Sequence, residues 1–238
     1  MQATITQAGP SALVTRLSRL APLGDADYRA IALAERDQRR WPARREILGE
    51  GEPIRERRAI VSGWACRQRI LADGQRQIIS FLLPGDLIGM CRHRNPVAST
   101  SILAVSEVVT CTVPDAPSED GPLAQAYALS SAMEQHYLLA QITRLGRLSA
   151  LERLADWILE IQERLAFADL SEGDQLPVPL TQEFLADTLG LTSVHVNRTL
   201  NTMRRDGLLT SRGGTIVLAD RDRLEKMVGY QRARVTTG

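Results

Sequence analysis

The chain has 238 residues, 44% of them hydrophobic and 24% charged, with a formal net charge of +1. This is the composition of a folded chain, and a charge so near zero excludes bulk coating of nucleic acid, so any such contact has to be local. No apolar run reaches the ~18 residues that would cross a bilayer, the N-terminus lacks a signal-like apolar region, and three widely spaced cysteines give neither a disulfide framework nor a CxxC pair, so a cytoplasmic protein with no membrane partner is expected.

The first twenty or so residues are mildly amphipathic and are expected to be frayed, although Ser11–Glu35 suits two short helices. From Arg44 to Val113 the character turns to β. The runs Ala59–Cys66, Arg69–Leu71, Gln77–Leu83 and Val108–Val113 are set apart by turn signals at Gly49-Glu50-Gly51, Ser62-Gly63, Asp73-Gly74 and Pro84-Gly85-Asp86. Short strands at this spacing predict an antiparallel barrel or jelly roll. Pro114–Pro122 reads as a loop. Leu123–Leu148 has no proline and one glycine, Gly146, and predicts a long helix. A second helix over Ala150–Ala166 carries Leu151, Leu154, Trp157, Ile158, Ile161 and Leu165 on one side. The long helix is more apolar than one barrel face can use. Its surplus, with Met133, Tyr137, Leu138, Ala140, Ile142 and Leu145, is expected to form a parallel two-chain seam, the alternative being packing on the barrel alone.

Leu180–Leu209 has the spacing of a helix-turn-helix. Thr181 can cap a first helix to Leu189, with Glu183 in its positive first turn. Gly190 suits the left-handed turn residue. Thr192 can cap a second helix, to about Arg205. Leu185, Leu189, Leu191, Val196 and Leu200 can close a core between them, with the small Ala186 at the crossing. Thr192, Ser193, Val194, Asn197 and Arg198 are left facing outward, where this motif reaches base edges in the major groove. An ordinary helix pair is the alternative. Two features favour DNA binding: the second helix holds Arg198, Arg204 and Arg205 with no acid before Asp206, and a β-hairpin signal follows around Gly213-Gly214. Together these make a winged helix.

A barrel, a long helix and a winged helix in this order resemble the Crp/Fnr superfamily of bacterial transcription regulators, from about Leu17 to Lys226. The motifs that carry the resemblance are Ile60–Gly89, with its DG and PGD-x-IG turns, Leu145–Ala155, and Leu191–Arg198, which looks like the branch with an LTxVHVNR recognition helix. The resemblance implies an α+β fold. A cyclic-nucleotide-binding-like β-barrel of jelly-roll type would span 1–122, a dimerisation helix 123–148 and a winged helix-turn-helix 149–238. It implies a homodimer on a palindromic double-stranded site, with successive half-sites about 34–36 Å apart, and RNA polymerase as a further partner. Arg198 would read guanine, as the matching arginine does in the family. Ser193 and Asn197 would flank it, Asn197 being suited to adenine. Val194 stands where many relatives place a glutamate and offers only apolar contact. Thr181, Gln182, Thr192, His195 and Arg212 would hold phosphates.

The sensor half departs from the family's nucleotide cassette. The resemblance places the effector pocket at Gly85, Asp86, Met90, Ser99, Thr100, Gln141 and Ile142: aligned from Gly85-Asp86, the ribose-binding glutamate falls at Met90 and the phosphate-binding arginine at Ser99, beside Thr100. The purine-facing pair falls at Gln141 and Ile142. Without the arginine a buried phosphate lacks its two-pronged partner, so cAMP in the usual mode is not expected. Arg92 and Arg94 are off register as substitutes. The first cysteine, Cys66, is too late for the family's iron–sulfur cluster. Cys91 and His93 resemble the haem-ligating region of its carbon-monoxide sensors, the alternative being a buried structural cysteine and an exposed loop histidine. The effector stays unknown. No catalytic spacing, phosphate loop or zinc pattern is present, so no enzyme is expected. The expected function is a dimeric, sequence-specific DNA-binding transcription regulator gated by an effector or signal in the barrel. The competing reading is a sensor module acting through protein partners.

Overall fold

Alternating apolar residues fold the N-terminal half into two facing four-stranded sheets, all pairs antiparallel. The strands are β1 (Gln38–Trp41), β2 (Glu46–Leu48), β3 (Arg58–Ser62), β4 (Ala65–Ile70), β5 (Arg76–Leu82), β6 (Leu87–Ile88), β7 (Ser101–Ala104) and β8 (Val108–Thr112). One sheet runs β1-β8-β3-β6 and the other β2-β7-β4-β5. The computed structural model describes residues 9–91, 93–171 and 173–235, with Arg212 described in its backbone only. Between the sheets lie Trp41, Ile60, Ala65, Leu82, Ile88, Ile102, Ala104 and Val108. The β3–β4 turn requires Gly63: its φ is 82°, and a Cβ there would lie 2.0 Å from the Glu107 carbonyl oxygen.

Two helices precede the barrel, α1 (Ala12–Leu20) and α2 (Asp25–Ala34). The frayed N-terminus expected from sequence is corrected for α1. Leu13 and Leu17 are buried with Ala59, Leu87 and Leu123, and Arg16 is buried beside them. Residues 1–8 lie outside the described residues. β1 was also absent from the expected β region: Gln38, Arg39 and Arg40 are exposed and read as polar, while Arg39 stacks on Trp41 at 3.9 Å.

The long helix α3 (Pro122–Arg147) starts with proline at its first position, where no N–H is needed. Ser149 and Glu152 form a reciprocal capping box for α4 (Ala150–Phe167). α4 doubles back along α3: Arg144 bonds Asp156 and Glu160, and Arg164 lies 4.9 Å over the Tyr137 ring. This corrects two of the expected seam residues. Met133 and Tyr137 are buried inside their own chain, 4% and 5% exposed, under α4. The large apolar side chains left in the open on α3 are Leu139 at 58% and Ile142 at 67%.

The C-terminal part holds β9 (Gln175–Pro177), α5 (Gln182–Leu189), α6 (Ser193–Arg205), β10 (Leu209–Arg212), β11 (Thr215–Leu218) and α7 (Arg221–Val228). β9 joins the hairpin as its third strand, in the order β10-β11-β9. One apolar core runs from the barrel into this part. Phe81 of β5 meets Trp64 and Trp157 edge-on, each at 5.8 Å, and the cluster continues to Leu189, Val196 and Leu224. No described helix is long and apolar enough to cross a membrane.

Candidate DNA interface and sensor region

The helix-turn-helix is built by local chemistry. Thr181 accepts from the Phe184 N–H and starts α5, and Gly190 ends it at φ 63°. Thr192 accepts from the His195 N–H at 3.2 Å and starts α6. Each cap uses an oxygen lone pair and leaves the hydroxyl proton free to donate. Phe184, Leu185, Ala186, Leu189, Val196, Leu200 and Met203 are buried between and beneath the two helices. That burial fixes the other side of α6 outward. Ser193, His195, Asn197 and Arg198 are exposed, and Val194 is 71% exposed. Gln182, Ser193, Val194, Asn197, Arg198, Asn201, Thr202 and Arg205 line one open groove.

The structure thus brings Gln182 beside the four side chains expected to read bases, with Thr181 and Thr192 at the adjacent helix starts. The backbone of Arg212 pairs with Thr215 in the hairpin; its side chain lies outside the described residues. Among the described residues no ion pair or hydrogen bond engages the Arg198 guanidinium. Sequence reading missed Asn201, Thr202 and the wing residue Ser211. The signal for Asn201 was its place one turn after Asn197 on the same face.

The sensor residues separate. Gly85 sits at φ 90° because a Cβ there would lie 2.9 Å from the Ala12 carbonyl oxygen. Asp86 is buried and fully engaged. Its carboxylate receives Arg16 at 3.0 Å, Arg164 at 2.7 Å and the Leu83 N–H at 2.7 Å. Burial opposes ionisation of Asp86, but the two guanidiniums outweigh it and hold the carboxyl below its usual range. Arg164 continues to Glu160 at 3.2 Å, and Glu160 to Arg144 at 2.6 Å. Arg144 reaches Gln141, whose amide donates to the Thr188 carbonyl of α5 at 2.7 Å. Gln141 therefore faces the winged helix and not the barrel, and Ile142 faces outward. Ser99 is exposed and offers its carbonyl to Arg69, and Thr100 is half-buried beside it. Met90 alone stays with Asp86, on the lining of a cavity of about 20 Å³ between barrel and α3. Such a space has room for about one water.

Neither a cyclic nucleotide nor a haem fits these residues. A cyclic nucleotide has no room in that cavity, and its Arg16 and Arg164 are already bonded to Asp86. Arg92 lies outside the described residues and Arg94 is exposed. Cys91 is exposed, against the buried alternative, and lines an open cleft with the charged Arg57, Asp115 and Glu119. His93 does not line that cleft, and its Nδ1 accepts from the Asn95 N–H at 3.2 Å. This is not the enclosed apolar slot that a haem requires. The other two cysteines are buried, and burial pushes the thiols of Cys66 and Cys111 up to about 12 and about 11.

A direct strap joins barrel and reader. Arg76 of β5 bonds Asp187 of α5 at 2.6 Å and lies 4.5 Å over the Phe184 ring, while Gln77 donates to the Asp187 carbonyl.

Comparison with known proteins agrees with this geometry. Residues 38–117 match the cyclic nucleotide-binding domain, and residues 152–227 match the Crp-like helix-turn-helix domain. The nitrogen fixation regulation protein FixK of Bradyrhizobium diazoefficiens is 34% identical over 176 residues, 71% of this chain and 72% of that one. The chain belongs to the Crp/Fnr family of transcription regulators. The transcriptional activator protein FnrL of Cereibacter sphaeroides is 26% identical over 200 residues, 80% of each chain. Among solved structures, FixK2 from Bradyrhizobium japonicum is similar with a TM-score of 0.72 and 28% identity, covering 82% of this chain and 98% of that one. This Crp/Fnr protein is a regulator and not an enzyme.

Proposed function

We propose that this Crp/Fnr protein is a homodimer that reads a palindromic double-stranded site with α6. The observation that carries the reading is the groove in which Ser193, Val194, Asn197 and Arg198 stand exposed, with the Arg198 guanidinium unengaged among the described residues. An unpaired guanidinium fork on an exposed helix face suits the O6/N7 edge of guanine. The hydroxyls of Thr181 and Thr192, with Gln182, His195 and Arg212, hold the flanking phosphates and set register. Leu139 and Ile142 supply the contact between two copies of α3, which sets the two reading helices one DNA turn apart. The bound dimer works in the cytoplasm and either recruits RNA polymerase or blocks it. Its signal reaches the barrel by a route other than cAMP in the family's usual pocket. Relatives include nitrogen-fixation and anaerobic regulators, so genes used without oxygen are the first place to seek its sites.

A gel shift against genomic fragments at ~150 mM salt tests the reading, because specific sites survive salt that strips non-specific complexes. Retention of a subset of fragments is expected. Uniform weak binding overturns it. Light scattering tests the dimer: Leu139→Glu with Ile142→Glu should yield monomers, since a carboxylate buried without a partner is costly.

A further inference from the structure

On the exposed face of α6 a chain of hydrogen bonds runs from the wing to the centre of the reading groove. Arg204 donates through Nε and Nη2 to the Ser211 hydroxyl of β10, at 3.1 and 2.6 Å. Its Nη1 donates to Oδ1 of Asn201 at 2.7 Å. Nδ2 of Asn201 donates to Oδ1 of Asn197 at 2.9 Å. The direction of this chain does not depend on how the amides are drawn. A guanidinium has no acceptor, so the end of Asn201 facing Arg204 has to be its oxygen. The end facing Asn197 is then nitrogen, which can only donate, so the atom that receives it on Asn197 has to be oxygen. Among the described residues Nδ2 of Asn197 has no partner.

We propose that Asn201, Arg204 and Ser211 are positioning residues that fix the amide of Asn197, so that Asn197 meets DNA as a donor and selects a base edge made of acceptors. Guanine and thymine present such an edge in the major groove. Adenine offers one acceptor beside a donor, and cytosine a donor only. The carbonyl that would complete the usual two-bond match of asparagine to adenine is turned along the helix toward Asn201. This reverses the preference for adenine that residue type alone suggests at Asn197. The wing thereby acts twice. Besides holding phosphate, it sets the polarity of a base contact two turns of helix away.

The inference rests on the reading of α6 as a DNA-reading helix, and the experiment separates the two. Duplexes are selected from a random pool by the full-length protein and by three variants. Asn197→Ala identifies the base pair that Asn197 faces, as the position where preference is lost. At that pair the wild type should favour guanine or thymine over adenine by about tenfold. Asn201→Asp keeps an acceptor for Arg204 but cannot donate, so Asn197 turns to donate to it and exposes its oxygen. Preference there should move to adenine or cytosine while the other positions stay as they were. Asn201→Ala adds no charge and frees the amide to turn either way, so adenine should be admitted alongside guanine and thymine. A wild type that favours adenine at that pair overturns the relay, as do Asn201 variants that keep the wild-type preference there. A wild type that selects no sequence overturns the DNA-reading assignment, and the relay with it.

Discussion

Two regions of the molecule use arginine in opposite ways. In the seam between barrel, α3 and α4, Arg16, Arg144 and Arg164 are buried, and each is matched by a carboxylate: Asp86, Asp156 or Glu160. On α6, Arg198 and Arg205 stand in the open, and the acidic neighbour of Arg205, Asp206, is 3.4 Å away and itself exposed. A buried charge has to find its partner inside the fold. An exposed one can wait for a partner from outside, here a phosphate or a guanine. The pairing state of each arginine thus separates structural charge from reading charge better than the balance of charged residues does, which nearly cancels.

The largest effect should come from the centre of the seam. Arg164→Met leaves Asp86 and Glu160 without their shared cation. Removing one partner of a buried pair costs about 3–5 kcal/mol. Denaturant melts should show that loss, while the fraction that stays folded should select the same DNA sequence as the wild type. A loss below about 1 kcal/mol would mean that the seam is not the structural charge we describe.

The same seam predicts a pH dependence. The carboxyl of Asp86 is held below its ordinary value of 3.8 in the fold. Its contribution to stability is therefore complete above that value, where it is ionised in folded and unfolded chains alike. It is lost as pH falls from about 3.8 toward the depressed folded value, because the unfolded chain takes up the proton first. Melts of Asp86→Asn against the wild type should show a difference that is constant near neutrality and narrows in that acid window. A difference that grows on acidification would contradict the pairing.

How much of this was legible in sequence follows the same division. The reader is written locally: Thr181, Gly190 and Thr192 mark its turns within a short stretch, and Gly213-Gly214 marks the wing. The bounds of α3 and α4 were legible for the same reason, from the absence of proline and the helical period of the apolar residues. The seam was not legible. Arg16 meets Asp86 across 70 positions and Arg164 meets it across 78, and no local pattern announces such pairs. Tyr137 and Met133 were read as seam residues because the covering of one face of α3 depends on α4 folding back along it. Asp86 and Gln141 were read as ligand-facing because the resemblance gives them that place, whereas here their polar atoms are spent on Arg16, Arg164, Arg144 and α5. β9 was missed because a strand of three residues ending in proline has too little period to see.

On the reading side, Arg198→Ala should leave stability within about 0.5 kcal/mol of the wild type, since the side chain has no partner among the described residues to abandon. It should remove about 1–3 kcal/mol of discrimination at one base pair in each half-site. Selection from random duplexes measures this, and recovery of the wild-type site would show that Arg198 is not the base reader.

The smallest effect sharpens the comparison within the exposed face itself. Arg205 shares the groove with Arg198 but lies at its far end, well past the start of α6 where base edges are reached. Its exposed contact with Asp206 contributes little, as surface pairs do. A guanidinium there meets the phosphate backbone, which carries no sequence information. Arg205→Ala should therefore weaken all duplexes alike, leave the selected sequence unchanged, and lower the slope of log affinity against log salt by about one per protomer. Titrations at several salt concentrations decide it. A change of sequence preference with an unchanged slope would move Arg205 from phosphate to base, and would extend the reading face about two turns further along α6 than Arg198, where we place its end.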